Sequence, residues 1–541
     1  MRVTWRVHTA DPERADALAR ALGLRPLTGQ LLLNRGISDR QEAERFLHPE
    51  LGRLSDPKAL PDLERAVARF VQAARRKEPV LVFGDSDVDG LTGSVILYEA
   101  LERIGARVEA RQSNRITDGY GLPEATVEAI ERSPVKLLVL VDCGTNQPEA
   151  VKRLTARGID TVIVDHHVPL DDWAKPYALV NPHRDQESAY HGLSSAGLAF
   201  KVAQALLAQA PAELAALVDL AALGSLADCS PLTGEGRIII CAGLTRIVQS
   251  RRPGLAKLCE LTDTSKPDPE EIIRRLVPRL NASGRLGDAA AVWQLLHSDS
   301  PDAIEPWVAS TDAAHAATRQ LHRRTLAEAQ AQVGQFHFRD ELVMVVSRAG
   351  WHQGVMGPLA SRLAEQYGRP AIAIAMHEQH GTGSARSIPM FNMLEALQAC
   401  REVLVRYGGH AQACGLTVGR QHLDRFRAMV NEEARRLLGP EGPRKIRMAD
   451  CELTLGAIEP GWVAESEGLS PFGRGNPRPT VWLRQVAVEV DSPRRGTVTD
   501  GAHRLPIRGE LSAFGEGRYD VIAAPSMIDG AVALTLAGVT A

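Results

Sequence analysis

Three aspartates, Asp85, Asp87 and Asp89, stand two residues apart in VLVFGDSDVDG, directly after a short apolar run. Like charges a few Å apart repel by about 1 kcal/mol even in bulk water, so this crowding points to a compensating cation. Acids and imidazoles recur in the same position elsewhere: LLVLV runs into Asp142, and TVIV into Asp165, His166 and His167. A further acid, Asp228 in LAALGSLADCSPL, follows a mostly apolar segment. Carboxylates with neutral imidazole form a hard-to-borderline ligand set suited to Mn²⁺ or Mg²⁺, and zinc is less expected without thiolates. Five or six such ligands exceed what one ion usually takes from protein, which points to two ions sharing a carboxylate, with Asp142 the best bridge. An ion pair of this kind activates water for in-line attack on phosphorus and stabilises the leaving oxygen, so no protein nucleophile is needed. Cys143, beside Asp142, has no base partner in the sequence and is read as a packing residue.

The elements that must position these groups alternate. EPVLVF, VKLLVLVDCG and DTVIVDHH read as short buried strands. Between them, GLTGSVILYEALERIG, closed by Gly105, and PEAVKRLTARG, opened by Pro148 and closed by Gly158, read as helices. Continuous β-branched strands separated by helices predict a parallel sheet covered on both faces. In such a sheet all carboxyl ends lie on one edge, where ligands bind. An aspartate after a strand is ordinarily a turn former or helix N-cap, and Asp89 before GLTGSV could be only that. A lone His-His pair is ordinarily surface or core. Three strand ends carrying such groups together point instead to a metal centre. Further on, SPDAIEPWVASTDAAHAATRQLHRRTLAEAQAQVGQF predicts a long helix joining two lobes. ELVMVVS and PAIAIAM restart an α/β pattern from about Glu341 to Leu438, and after GPEGPRK the segments VWLRQVAVEV and GAVALTLAGV predict a small antiparallel β domain.

The chain has 541 residues, enough for roughly three or four domains. Its 44% hydrophobic and 24% charged residues are ordinary globular values. A net charge of −3 excludes a molecule that is basic overall, so any polyanion must meet a local patch. Arg115, Arg279, Arg285 and Arg386 each sit among Gly, Asn or Ser in turn-like motifs that suit bidentate phosphate contacts. The seven cysteines are scattered and form no C-x-x-C pair, which predicts reduced thiols rather than disulfides or structural zinc. The start lacks a signal-like apolar stretch and there is no apolar run of membrane-spanning length, so a soluble cytoplasmic protein without a membrane partner is expected.

DHH at Asp165 to His167, with GDSDVDG, LVDCGTN and GSLADCSPL in that order, resembles the DHH phosphoesterase superfamily. SNRITDGYGL, PRLNASGRL, WHQGVMG, GTGSARSI, YGGHAQACG and LSPFGRGNPRP are similar to motifs of its single-stranded-DNA-specific exonuclease family, and together they span nearly the whole chain. The resemblance implies an α/β fold with a parallel-sheet DHH domain (61–299), an N-terminal segment (1–60) packing on it, a long connecting helix (300–337), an α/β DHHA1 domain (338–440) and a C-terminal OB-type β-barrel (445–541). It implies a monomer that degrades single-stranded DNA from the 5′ end to mononucleotides, in recombination and repair, with two Mn²⁺ or Mg²⁺ ions. Candidate partners are a single-strand-binding protein and a helicase.

Carried over position by position, the metal ligands are Asp87, Asp89, Asp142, His166 and Asp228, with Asp85 close by and His167 facing the substrate or supporting the site. Ser384 and Arg386 resemble the element that takes the 5′ phosphate. Arg115, Arg279, Asn281 and Arg285 join the substrate contacts, and His410 reaches across the cleft from the second lobe to the scissile phosphate. The family often has an aromatic residue where Ser86 stands and Asn where Gly236 stands; some pyrophosphatase relatives have His at the Phe83 position, so one ion here has fewer protein ligands. For the barrel, Phe472, Trp482 and Phe514 are available for stacking, and SPRRG and HRLPIRG supply cations for backbone tracking. Two other classes share these lobes: phosphodiesterases of short RNA or cyclic dinucleotides, and catalytically dead binding modules. The roughly one hundred residues after the GGH lobe argue against the first, and the intact acids against the second.

Overall fold

The structure, a computed structural model, describes residues 3–116, 121–287, 289–439, 442–443 and 445–540. The Thr117 to Tyr120 part of the SNRITDGYGL motif therefore lies outside the described residues.

In the first lobe the strand Pro79–Gly84 lies between Arg107–Gln112 and Leu137–Val141, followed by Asp160–Val164 and Ala178–Val180, all parallel. Because strand side chains alternate between faces, the apolar runs feed two cores. Val80, Val82, Leu137 and Val139 pack with Leu91, Val95, Leu198 and Phe200 on one face. Leu81, Phe83, Leu138 and Leu140 pack with Val127, Ile130, Val151 and Leu154 on the other. Each fully buried Val, Leu or Phe contributes about 1.5–3 kcal/mol, which is why these strands read as unbroken apolar runs. The edge strand Arg107–Gln112, RVEARQ, alternates exposed and half-buried residues, and Ala178–Val180 has only 3 residues. Neither stood out in sequence.

The helix Pro301–Val333, of 33 residues, leads to the second lobe, a span of about 50 Å. There the strands run in the order Leu404–Gly409, Ala413–Gly419, His380–Arg386, Ala371–Met376, Met344–Ala349, the last pair parallel and the rest antiparallel. The lobes touch where Gln353 Nε2 donates to the Ile116 carbonyl at 2.8 Å. Beside it Gly354 lies so close to the Arg285 carbonyl that an added Cβ would fall 2.1 Å from that oxygen.

At the C-terminus Val481–Ser492, Arg495–Thr499, Arg504–Arg508, Ala531–Thr540 and Arg518–Ile528 close into a five-stranded barrel, the last strand pairing back onto the first. The apolar face of the N-terminal segment lies in this barrel's core: Leu18, Leu31, Leu32 and Phe46 pack with Leu483, Val498, Val521 and Leu534. The strand Val3–Val7 pairs in parallel with Lys445–Ala449. The end of the segment also packs on the first lobe, with Leu51, Leu54 and Leu60 against its core and Arg45 on Glu235 at 2.8 Å. Buried Arg237 donates to the carbonyls of Phe46, Leu469 and Ser470, joining all three parts. Of the barrel aromatics, Trp482 is buried beside Trp5, while Phe472 and Phe514 border the core. All seven cysteines are free thiols. Among the described residues no helix is long and apolar enough to cross a membrane.

Candidate metal centre

The carboxyl ends of the first sheet carry the acids, and each is aimed by its own backbone. Asp87 N-caps the helix Val88–Arg103, its Oδ1 accepting from the N–H groups of Asp89 (3.1 Å) and Gly90 (3.2 Å). Capping thus falls to Asp87, and Asp89 is left in the first turn, pointing at the N-terminus of the helix Ser195–Leu206. Asp142 follows its strand at φ 62°, a left-handed conformation that costs a non-glycine residue about 1–3 kcal/mol and is held only where the surroundings enforce it. Asp228 sits at the C-cap of the helix Val218–Ala227.

Three ligand triads result, the atoms of each within 4.8 Å of one another: Asp85, Asp87 and Asp142; Asp142, His166 and His167; Asp89, His166 and Asp228. Asp142 belongs to two of them. His166 places Nε2 3.4 Å from Asp142 and Nδ1 3.8 Å from Asp228, bridging them. His167 is oriented by Asp165, whose Oδ1 lies 2.7 Å from its Nδ1. Asp165, buried, is therefore a support for His167, a role its sequence position did not disclose.

Burial first, and then the charges of Asp87 and Asp89, push the Asp142 carboxyl well above the ordinary range. Burial, against the pull of His166 and with Asp89 and Asp87 adding, lifts Asp228 to about 7. Burial works against a charged His166, yet Asp142 and Asp228 raise it well above its usual value. Arg115 pairs with Asp85 and, at 2.9 Å, with Asp87. Ser113 Oγ donates to the other oxygen of Asp85 at 2.6 Å. Asp85 is thus already paired with a cation, whereas burial and the neighbouring acids raise all three of Asp89, Asp142 and Asp228, so that each holds a proton more readily than an ordinary carboxyl. Such a set of hard oxygen donors with one imidazole fits divalent cations, which take the place of those protons.

The expected phosphate contacts divide. Arg285, Arg115 and Arg386 are close enough for mutual repulsion, and burial with that repulsion brings Arg285 down to about 10. Arg386 reaches Ser384 Oγ at 2.9 Å. These form a cationic wall beside the acids, drawn from both lobes. Arg279 instead pairs with Asp312 of the long helix at 3.1 Å, and Asn281 Oδ1 accepts from the Val88 N–H at 3.1 Å, anchoring the turn that bears Asp87. The turn-like reading of Arg279, Arg285 and Arg386 is corrected: Arg386 ends the strand His380–Arg386, and the other two lie on the helix Val277–Leu286. The Gly and Ser beside them serve close packing, since a Cβ on Gly284 would lie 2.2 Å from the Ser86 carbonyl.

From the second lobe His410 lays its ring on His167, centroids 5.3 Å apart and 18° from parallel. Burial, with His167 and His166 nearby, lowers it to about 4. Cys143 is fully buried and its thiol lies well above the ordinary value through burial, in keeping with a packing residue.

Ser195 was not legible in sequence: its hydroxyl donates to Asp142 Oδ1 at 2.9 Å, and its N–H to Asp89 Oδ2 at 2.8 Å. The LSSAG stretch carries no mark of a metal site, only Ser194 as a helix cap accepting from Gly197.

Residues 79–225 match the family model "DHH family, N-terminal domain" and residues 340–436 match "DHHA1 domain", so fold and site define the class of two-lobed DHH–DHHA1 proteins. The single-stranded-DNA-specific exonuclease RecJ of Dickeya dadantii is 32% identical over 537 residues, covering 91% of this chain and 90% of that protein. The Bacillus subtilis exonuclease of the same name is 33% identical over 493 residues; the match covers 90% of this chain and 62% of the longer relative. The crystal structure of RecJ in complex with Mn²⁺ from Thermus thermophilus superposes with a TM-score of 0.86 at 26% identity, over 100% of this chain and 80% of that one. The chain belongs to the RecJ family of single-stranded-DNA-specific exonucleases.

Proposed function

We propose that the protein hydrolyses single-stranded DNA from its 5′ end to mononucleotides, in recombination and repair, using two Mn²⁺ or Mg²⁺ ions held by Asp87, Asp89, Asp142, His166 and Asp228. The observation that carries this reading is the sharing of Asp142 between two ligand triads beside a cationic wall. When bound, the ions supply Lewis acidity that activates water and stabilises charge on the phosphate oxygens. The chain's own groups do the rest. Asp85 holds Arg115 at the rim of the acids. Arg115 and Arg285 draw the DNA backbone into the cleft, and Arg386 with Ser384 takes the 5′ phosphate, so that the strand enters end first. His167, held by Asp165, faces the phosphate, and His410, kept neutral, donates a ring N–H to a non-bridging oxygen of the scissile phosphate. Arg279 and Asn281 act by supporting the helix Val277–Leu286 and the Asp87 turn. DHH–DHHA1 phosphodiesterases of short RNA or cyclic dinucleotides need no barrel beyond the second lobe, whereas here a closed barrel follows it.

The protein works in the cytoplasm as a monomer, with a single-strand-binding protein and a helicase supplying its substrate. The domain limits proposed from sequence, 1–60, 61–299, 300–337, 338–440 and 445–541, are retained, with the first sharing the barrel's core. The test is side-by-side digestion, with Mn²⁺, of a 5′-phosphorylated single strand, a duplex and a dinucleotide. Release of 5′-terminal mononucleotides from the single strand alone is expected. A preference for the dinucleotide would favour the small-substrate class.

A further inference from the structure

Asp89 and Asp142 stand on different elements, and both lean on a third. Ser195 opens the helix Ser195–Leu206 and is fully buried. Its hydroxyl donates to Asp142 Oδ1 at 2.9 Å and its backbone N–H to Asp89 Oδ2 at 2.8 Å, while the Ala196 N–H reaches Asp89 Oδ1 at 2.9 Å. Both oxygens of Asp89 are thereby fixed by backbone, and the rotation of the Asp142 carboxylate is fixed by a side chain. His166 Nε2 approaches that same Asp142 oxygen at 3.4 Å. Gly224 lets the helix Val218–Ala227 pack close to this contact, since a Cβ there would lie 2.5 Å from the Ala196 Cβ and 3.0 Å from Asp89 Oδ1. Resting on the two-ion reading above, we propose that Ser195 is a positioning residue of the metal centre. It orients the shared carboxylate of Asp142 and sets its separation from Asp89, so that the two ions bind as a pair.

The two bonds made by Ser195 separate cleanly by substitution. Ser195→Ala keeps the backbone N–H on Asp89 and removes only the donor to Asp142. The loss of a hydrogen-bonded support behind a metal ligand typically weakens metal affinity about 10–100-fold.

The experiment titrates the full chain with Mn²⁺ in the absence of DNA, reading free Mn²⁺ and the exchange-coupled signal of two adjacent ions by electron paramagnetic resonance. S195A is expected to bind Mn²⁺ about 10–100-fold more weakly and to lose the coupled signal at concentrations that saturate the unaltered protein. Its melting temperature in EDTA is expected to stay unchanged. S195C, of similar size and with a weaker donor, is expected to fall between, and decides the matter should S195A fold poorly. Ser94, also fully buried on a helix, donates its hydroxyl to the Leu91 carbonyl, so S94A serves as a packing control with unaltered Mn²⁺ binding. A titration of S195A or S195C that superimposes on the unaltered protein overturns the proposal. Asp142→Ala separates the two levels: if D142A loses the ion pair while S195A keeps it, only the role of Ser195 falls; if D142A keeps the pair, Asp142 is not the shared ligand; and if the unaltered chain shows no coupled signal, the two-ion reading itself falls.

Discussion

His410 stacks on His167 across the cleft, ring centroids 5.3 Å apart, although the two residues belong to different lobes. The stack places a neutral imidazole of the second lobe against the ring that Asp165 orients in the first. On the proposed function the reactive phosphate meets groups from both lobes, and their relative placement, held by contacts such as Gln353 with Ile116, becomes part of the chemistry.

His410→Ala is expected to lower kcat on a 5′-phosphorylated single strand by about 100-fold, the usual effect of losing one donor aimed at developing charge. Mn²⁺ binding measured without DNA should be unchanged, because His410 belongs to none of the ligand triads. A parallel loss of metal affinity would show that the residue acts on the centre and not on the phosphate.

Removing divalent metal should abolish hydrolysis and also loosen the first lobe, since Asp89, Asp142 and Asp228 then repel. Addition of Mn²⁺ at about 100 times its dissociation constant should stabilise the native state by about 3 kcal/mol, read as a rise in melting temperature that Ca²⁺-free EDTA reverses. An identical melting curve with and without Mn²⁺ would contradict this.

A second prediction on stability lies far from the metal centre. Glu99 is bound by Arg252 at 2.6 Å, and Arg252 also meets Asp219 at 3.2 Å. Burial alone would raise the Glu99 carboxyl, but His297 and Arg252 hold it down to about 2 against an ordinary 4.5. A depressed carboxylate contributes its stability fully above pH 4.5 and loses it as pH falls toward 2. The difference corresponds to about 3 kcal/mol. Unfolding midpoints measured from pH 6 down to pH 2 should fall more steeply for the unaltered chain than for Glu99→Gln, whose midpoint is already lower at pH 6. Parallel curves would refute the assignment.

The shared core of barrel and N-terminal segment governs truncation. Cutting after Pro443 strips Leu18, Leu31, Leu32 and Phe46 of their partners, so residues 1–443 are expected to self-associate in light scattering. Residues 55–443 are expected to remain monodisperse and to bind long single strands more weakly, with a shallower salt dependence. A monodisperse 1–443 fragment would mean that the segment packs elsewhere.

The parallel sheet and the convergence of its acids were legible because buried strands must be continuously apolar and because parallel topology sends every carboxyl end to one edge. The long helix and a small antiparallel β domain followed from composition and alternation in the same way, while the closure of that domain into a barrel was an expectation from the family resemblance. What escaped notice shares one cause: contacts between distant segments leave no local pattern. Ser195 looks like a helix start, Asn281 like a substrate contact, and Asp165 like one more acid at a strand end, until the sheet and helices bring each against its partner. Arg279 shows the converse, a motif arginine whose guanidinium is engaged by Asp312 of the long helix. The place of the N-terminal segment in the barrel's core was equally hidden, since its amphipathic helices would suit any apolar surface.

The most direct measurement is the hydrolysis of a 5′-phosphorylated single strand by Asp142→Asn in the full chain with saturating Mn²⁺. The substitution preserves shape and relieves the repulsion with Asp87 and Asp89, so the fold should be kept. The predicted result is a rate about 10³-fold or more below that of the unaltered protein, as expected when a metal's several kcal/mol of charge stabilisation is lost, with loss of the coupled Mn²⁺ signal. A rate within about tenfold of the unaltered protein, which corresponds to only about 1.4 kcal/mol of barrier, would contradict it.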